Sequence, residues 1–325
     1  MRTWIGIFLM LCSISLWGEE PPELSFSSGA YNQRLIMQRP VPKGDFQRMV
    51  IPVKRVGNLI IVEATVDGIR GNFIFDTGAP YLVLNATYFR DYKEEKGHIA
   101  TDVTGKLNTQ RTTEVERLKV MGMYYENLEA DVSDLSAIEN KRGIQVLGLL
   151  GVNLFMRMEI EINLQDEQLI VYRTDREGRR LEQPTYRMEG DYHKSFELRN
   201  NAIIASGTIA GKSLNFCFDT GAEALLLDND LDEAVYTEMR IVRRSTLTGA
   251  GGSSTEVLFG ALRELEFGPT LKSCQVMIAD LEEIGRAYGF PVDGFVGYDL
   301  LRMGSVCINF KTKELIVNVF KKEHE

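Results

Sequence analysis

Phe73-Ile74-Phe75-Asp76-Thr77-Gly78-Ala79 recurs later in the chain as Phe216-Cys217-Phe218-Asp219-Thr220-Gly221-Ala222. The match runs back without a gap to Asn58 and Asn201 at a constant offset of 143 residues, through Ile60/Ile203, Ile61/Ile204, Thr65/Thr208, Gly68/Gly211 and Asn72/Asn215. A second block, Gly148 to Val171 over Gly294 to Val317, holds an offset of 146. It pairs Gly151 with Gly297, Leu154 with Leu300 and Asn163 with Asn309, and it ends in the Leu-Ile-Val runs at 169–171 and 315–317. Self-similarity at a fixed long period means one structural unit written twice. The change of offset puts three extra residues in the middle of the second copy.

Within each copy the pattern is that of strands. Leu59 to Val66, the turn residues Asp67, Gly68 and Gly71, then Asn72 to Phe75 read as strand, turn, strand, and Ala202 to Phe218 repeats it. Met158 to Asn163 with Gln168 to Tyr172, and Val306 to Phe310 with Glu314 to Val319, flank polar turns and predict hairpins. Short helices fit only after Gly151 and Gly297, with Asn153 and Asp299 as N-caps. The expectation is an all-β protein: a signal peptide over residues 1–18, an N-terminal extension over 19–44, a first lobe over 45–173, a connector over 174–197 and a second lobe over 198–325. The connector is charged and poor in aliphatic residues, which suits a link between domains better than a core.

Composition narrows the function. With 44% hydrophobic and 26% charged residues in 325, the chain is globular rather than disordered. A net charge of −9 opposes a phosphate backbone, so no nucleic acid is expected as partner. The three histidines, His98, His193 and His324, lie far apart and near no cysteine pair, so no metal site and no Ser-His or Cys-His catalytic pair is expected. Arg2, the apolar run Trp4 to Leu16 and Gly18 before Glu19-Glu20 form a secretory leader too short to span a bilayer. The protein is therefore expected to be exported, periplasmic or secreted, without a membrane span. Leu11 before Cys12, where a lipid-attachment site takes a small residue, argues against a lipoprotein. Cys217, Cys274 and Cys307 are an odd set, and Cys217 and Cys274 align with Ile74 and Leu128, which reads as small buried hydrophobes.

An aspartate, a small hydroxyl and a glycine directly after an apolar strand make a tight loop with the acid at its tip. Glycine lets the backbone double back, and threonine ties the loop to neighbouring main chain. If a two-fold axis relates the copies, Asp76 and Asp219 meet. Two carboxyls about 3 Å apart share one proton, so one member can accept a proton from water while the other polarises a carbonyl.

The two Asp-Thr-Gly-Ala loops, with Leu149-Leu150-Gly151 and Phe295-Val296-Gly297 ending 75 and 78 residues past their aspartates, resemble the aspartic proteases. The alanine endings and the Gly-x-Asn/Asp-Leu continuations are most similar to the bacterial retropepsin-like group. The resemblance covers Pro52 to Val319. It implies two homologous closed-barrel-like lobes about a pseudo-two-fold axis with the active site between them. Asp76 and Asp219 would be the catalytic dyad, supported by Thr77, Gly78, Thr220 and Gly221. Gly151 and Gly297 would be kept small because their strands thread beside the aspartate loops. Flaps would come from the segments holding Gly105 and holding Gly249, Gly251 and Gly252. The implied activity is endopeptidase cleavage of a peptide or protein substrate through an activated water, with no cofactor, in a monomer whose lobes pair within one chain. A catalytically silent peptide-binding protein of the same fold is the alternative. Pairing of lobes between chains is a second.

One position breaks the symmetry: Pro80 follows the first loop and Glu223 the second. Glutamate is ordinarily solvated, so Glu223 is expected on the outer rim. With alanine after each glycine the aspartates gain no side-chain donor there, which predicts a mildly acidic activity optimum.

Overall fold

The computed structural model describes residues 12–14, 39–93, 95–101, 107–182, 184–248 and 254–321. In the first lobe six strands follow one another edge to edge: Leu107–Val120, Met123–Ser133, Val83–Asn85, Gly148–Gly151, Ile69–Asp76 and Leu59–Val66. The last returns to the first through Thr65 opposite Lys119 and Val66 opposite Leu118, closing a barrel. The second lobe repeats the order with Ser254–Glu266, Thr270–Ala279, Leu225–Asp228, Gly294–Val296, Lys212–Phe218 and Ala202–Ile209; its ends meet at Thr208 opposite Glu266. The expected all-β duplication is what the chain folds into.

Leu59–Val66 has apolar residues on both faces, and the lobe uses both. Ile60, Val62, Ala64 and Val66 fill the barrel, while Leu59 and Ile61 pack with Ile74, Ile138 and Leu149 in a second cluster outside it. A strand buried on both sides reads as an apolar run rather than an alternation.

A six-stranded sheet joins the lobes: Arg48–Val56, Gln168–Arg173, Met158–Asn163, Gly304–Asn309, Glu314–Val319 and Tyr192–Ser195. Both predicted hairpins lie in it. Its middle pair crosses from lobe to lobe with Ile160 opposite Ile308, Glu161 opposite Cys307 and Ile162 opposite Val306. Positions 161 and 307 are the same position of the repeat. The pseudo-two-fold axis therefore passes between them.

Segment 174–197 is more than a connector. Tyr192–Ser195 forms the sheet's last strand, and Phe196 is buried. Arg180, 3% exposed, lies across the sheet: its Nε donates to Glu159 Oε1 at 2.6 Å and Nη2 to Glu161 at 3.1 Å, with the guanidinium 3.5 Å from the Tyr172 ring centroid. Asn309 donates to the other Glu159 oxygen at 2.5 Å. The segment is charged because it covers acids that the strands turn toward it.

Short helices follow Gly151 and Gly297 as expected, at Val152–Leu154 and Tyr298–Leu301, but their N-caps are the glycines, with no side-chain cap bond. Asp299 instead accepts Leu225 N–H at 3.1 Å. Among the described residues three further helices, Ser136–Arg142, Glu233–Thr237 and Glu282–Tyr288, escaped the sequence reading. The first and third are another duplicated pair. Leu135, Ile138 and Gly143 recur as Leu281, Ile284 and Gly289 at the offset of 146, and both glycines end their helices in the left-handed region at φ 67° and 63°.

Removing one partner of a buried ion pair strands the other charge, at about 3–5 kcal/mol. Arg180→Met is expected to lower unfolding free energy by that order in urea titration, and Glu159→Gln added to it to recover part of the loss.

Candidate active site

Each aspartate is delivered by a strand that runs parallel to an apolar-apolar-Gly strand. Phe73, Ile74, Phe75 and Asp76 lie opposite Gly148, Leu149, Leu150 and Gly151, and Phe216, Cys217 and Phe218 lie opposite Gly294, Phe295 and Val296. The chain after each loop crosses back over the strand's end: Val152 N–H donates to Ala79 O, and Tyr298 N–H to Ala222 O, both at 2.9 Å. A Cβ on Gly151 would stand 2.0 Å from Tyr81 O, and one on Gly297 2.0 Å from Asp219 O. Backbone against backbone leaves no room to relax, so both positions demand glycine.

The loops meet across the pseudo-two-fold axis. Thr77 N–H donates to Thr220 Oγ1 and Thr220 N–H to Thr77 Oγ1, both at 3.0 Å. Each hydroxyl in turn donates to the opposite strand, Thr77 to Phe218 O at 3.0 Å and Thr220 to Phe75 O at 2.9 Å. Both threonines are 1% exposed. All four bonds run between lobes.

Asp76 and Asp219, 2% and 1% exposed, lie in this interlock. Asp76 Oδ1 accepts from Gly78 N–H at 2.9 Å and Ala79 N–H at 3.3 Å; Asp219 Oδ1 accepts from Gly221 N–H at 2.8 Å. A Cβ on Gly78 would lie 2.5 Å from Asp219 Cγ, and one on Gly221 2.9 Å from Asp76 Oδ1, so each glycine makes room for the other lobe's acid. Burial pushes Asp76 well above the usual carboxylate range, with the Asp219 charge and the hydrogen bond between the acids acting the same way. Burial also raises Asp219, while the bond with Asp76 and the backbone N–H groups of Gly221, Gly78 and Ala222 restrain it. The proton belongs to the pair. Such a pair offers a base and an acid to one bound water.

Glu223 departs from the expectation of a solvated rim residue. Its side chain is 11% exposed and hydrogen-bonds Arg142 of the first lobe, and it also accepts Asn58 N–H at 3.2 Å. The Asn58 amide donates to Glu223 O at 2.9 Å. The glutamate is spent on holding the lobes together. Arg142 was invisible to the sequence reading because its helix was missed; Lys-Arg-Gly, a basic last turn before a glycine cap, was the available signal.

Gly105, Gly249, Gly251 and Gly252 lie outside the described residues, as does most of the leader. The arms that would carry the flaps are described: Glu95–Thr101 pairs with Leu107–Val120, and Met239–Thr248 with Ser254–Glu266. Cys217, Cys274 and Cys307 are buried and outside any disulfide among the described residues, and the burial of Cys217 and Cys274 is what their alignment with Ile74 and Leu128 predicts.

A family model described as aspartyl protease matches the chain twice, over residues 62–154 and 205–300. Comparison with curated proteins returned no match. Each matched stretch contains one Asp-Thr-Gly loop and the apolar-apolar-Gly strand that threads beside it. Together they span more than half the chain, which therefore belongs to the aspartyl protease family.

Proposed function

We propose that the protein is an exported aspartic endopeptidase in which Asp76 and Asp219 of one chain activate a water against a peptide carbonyl. The observation that carries this reading is the pair of buried acids joined across the lobes by the Thr77 and Thr220 bonds. The ionised carboxyl takes a proton from water as its oxygen attacks the carbonyl carbon. The protonated carboxyl gives its proton to the carbonyl oxygen, forming a tetrahedral diol. The newly protonated carboxyl then gives its proton to the nitrogen while the other carboxylate takes a proton from a diol hydroxyl, so that the C–N bond breaks, amine and acid are released and the pair is singly protonated again. A single chain suffices, because both loops already interlock within it. Export is supported by Arg2, the Trp4 to Leu16 run and Gly18.

Quenched peptides assayed across about pH 3 to 7 test the reading. Asp76→Asn and Asp219→Asn are each expected to lower kcat/KM by about 10²–10⁴-fold or more; cleavage that survives either change would refute the assignment. The optimum is expected to be mildly acidic, since raised carboxyl pKa values keep the shared proton in place there, and a maximum at or below about pH 2 speaks against it.

Stability gives a second reading. A carboxyl whose folded pKa lies above its unfolded value of about 3.9 binds protons more tightly when folded, so its contribution is present in acid and is lost as pH rises toward the raised value. Asp219→Asn should therefore raise the melting temperature more at neutral pH than in acid. An equal shift at both would contradict the like-charge pair.

A further inference from the structure

A cleft opens beside the dyad, lined by Asp76 and Gly221 and by Lys141 and Arg142 of the helix Ser136–Arg142. The rest of its wall is aliphatic, Ile74 and Leu149 among it. Lys141 Nζ is buried and has no hydrogen-bond partner among the described residues. An ammonium kept from water without a counter-charge is costly. The carboxylates of this neighbourhood other than the dyad are committed elsewhere: Glu223 to Arg142 and Asn58, and Glu139 to the Tyr88 hydroxyl at 2.6 Å and Val146 N–H at 2.8 Å. Outside the dyad, the acid that would balance Lys141 is thus missing from the protein's own described groups. The cation is also one-sided, because the repeat puts Ala287 and Tyr288 at the positions of Lys141 and Arg142.

We propose that this cleft is a substrate subsite for an acidic side chain, aspartate or glutamate, flanking the scissile bond, with Lys141 as the specificity-determining residue. The inference rests on the hydrolase reading for its substrate. A side chain entering beside Asp76 belongs to a residue next to the bond being cut. The aliphatic wall takes its methylenes and Nζ meets its carboxylate, a charge-assisted bond in surroundings that screen it little. Burial, followed by the Arg142 charge, lowers the lysine to about 8, so it stays protonated in the acidic range where the dyad works.

The test uses the full chain and end-blocked peptides, so that a side chain is the only carboxylate offered. Two sets are needed: non-hydrolysable peptides with a secondary alcohol at the scissile position, and the matching amides. Glu, Gln or Leu is placed on either side of the bond. Calorimetry on the first set is expected to give a Glu-over-Gln preference of roughly tenfold to a hundredfold at one of the two positions. Lys141→Met and Lys141→Gln are expected to bring the ratio to about one, Lys141→Arg to keep it, and Lys141→Glu to favour a Lys-bearing peptide instead. The kcat/KM ratios on the amides should follow. Equal Glu and Gln affinities in the wild type, or a preference that survives Lys141→Met, overturns the subsite. Cleavage without preference sinks the subsite and leaves the hydrolase; preferential binding without cleavage does the reverse; neither binding nor cleavage ends both.

Discussion

Thr77 and Thr220 hold each other's backbones, and everything the two lobes do together depends on those four buried hydrogen bonds. The acids beside them work against the fold: both are buried, and the charge on one raises the other. A hydroxyl that donates and accepts within one lobe-to-lobe bridge does not titrate in the working range, so the brace keeps its strength whatever the dyad's protonation. Leaving any of its groups unpaired would cost the desolvation of a buried donor or acceptor, about 1–3 kcal/mol each.

Outside the brace the two halves have diverged. Proline follows one loop and glutamate the other, and Glu223 reaches Arg142 and Asn58 across the boundary while Pro80 makes no such bridge. The helix that supplies Arg142 also supplies Lys141, whereas its duplicate carries alanine and tyrosine there. A peptide lying across a symmetric pair of acids has a direction, and these differences give the cleft one to match.

Much of this was legible in the residues. The repeat placed both loops, and the apolar runs placed the strands that carry them, because period and duplication are local properties of the chain. The Gly151 and Gly297 requirement was anticipated only through the resemblance to the aspartic proteases. What escaped depends on distant partners. Met158 to Asn163 alternates apolar and polar residues, so Glu159 and Glu161 look solvent-facing; only the fold brings Arg180 over them and turns a charged link into interior. Glu223 looked like a rim residue because its partner sits 81 positions away on an unrecognised helix. Seven-residue helices such as Ser136–Arg142 leave too little periodicity to stand out, although their matched Leu, Ile and Gly positions recorded them in the duplication.

Glu161 and Cys307 face each other where the halves exchange. In an assembly of two identical polypeptides, whatever side chain occupies that site must oppose its own copy: acid against acid, or thiol against thiol with a disulfide within reach. Joining the units in one gene removes that restriction. It lets an acid sit opposite a neutral sulfur, with Arg180 within 3.1 Å of the one and 3.5 Å of the other. Fusion thus gave selection access to a pair of residues that two-fold rotational symmetry between separate subunits forbids.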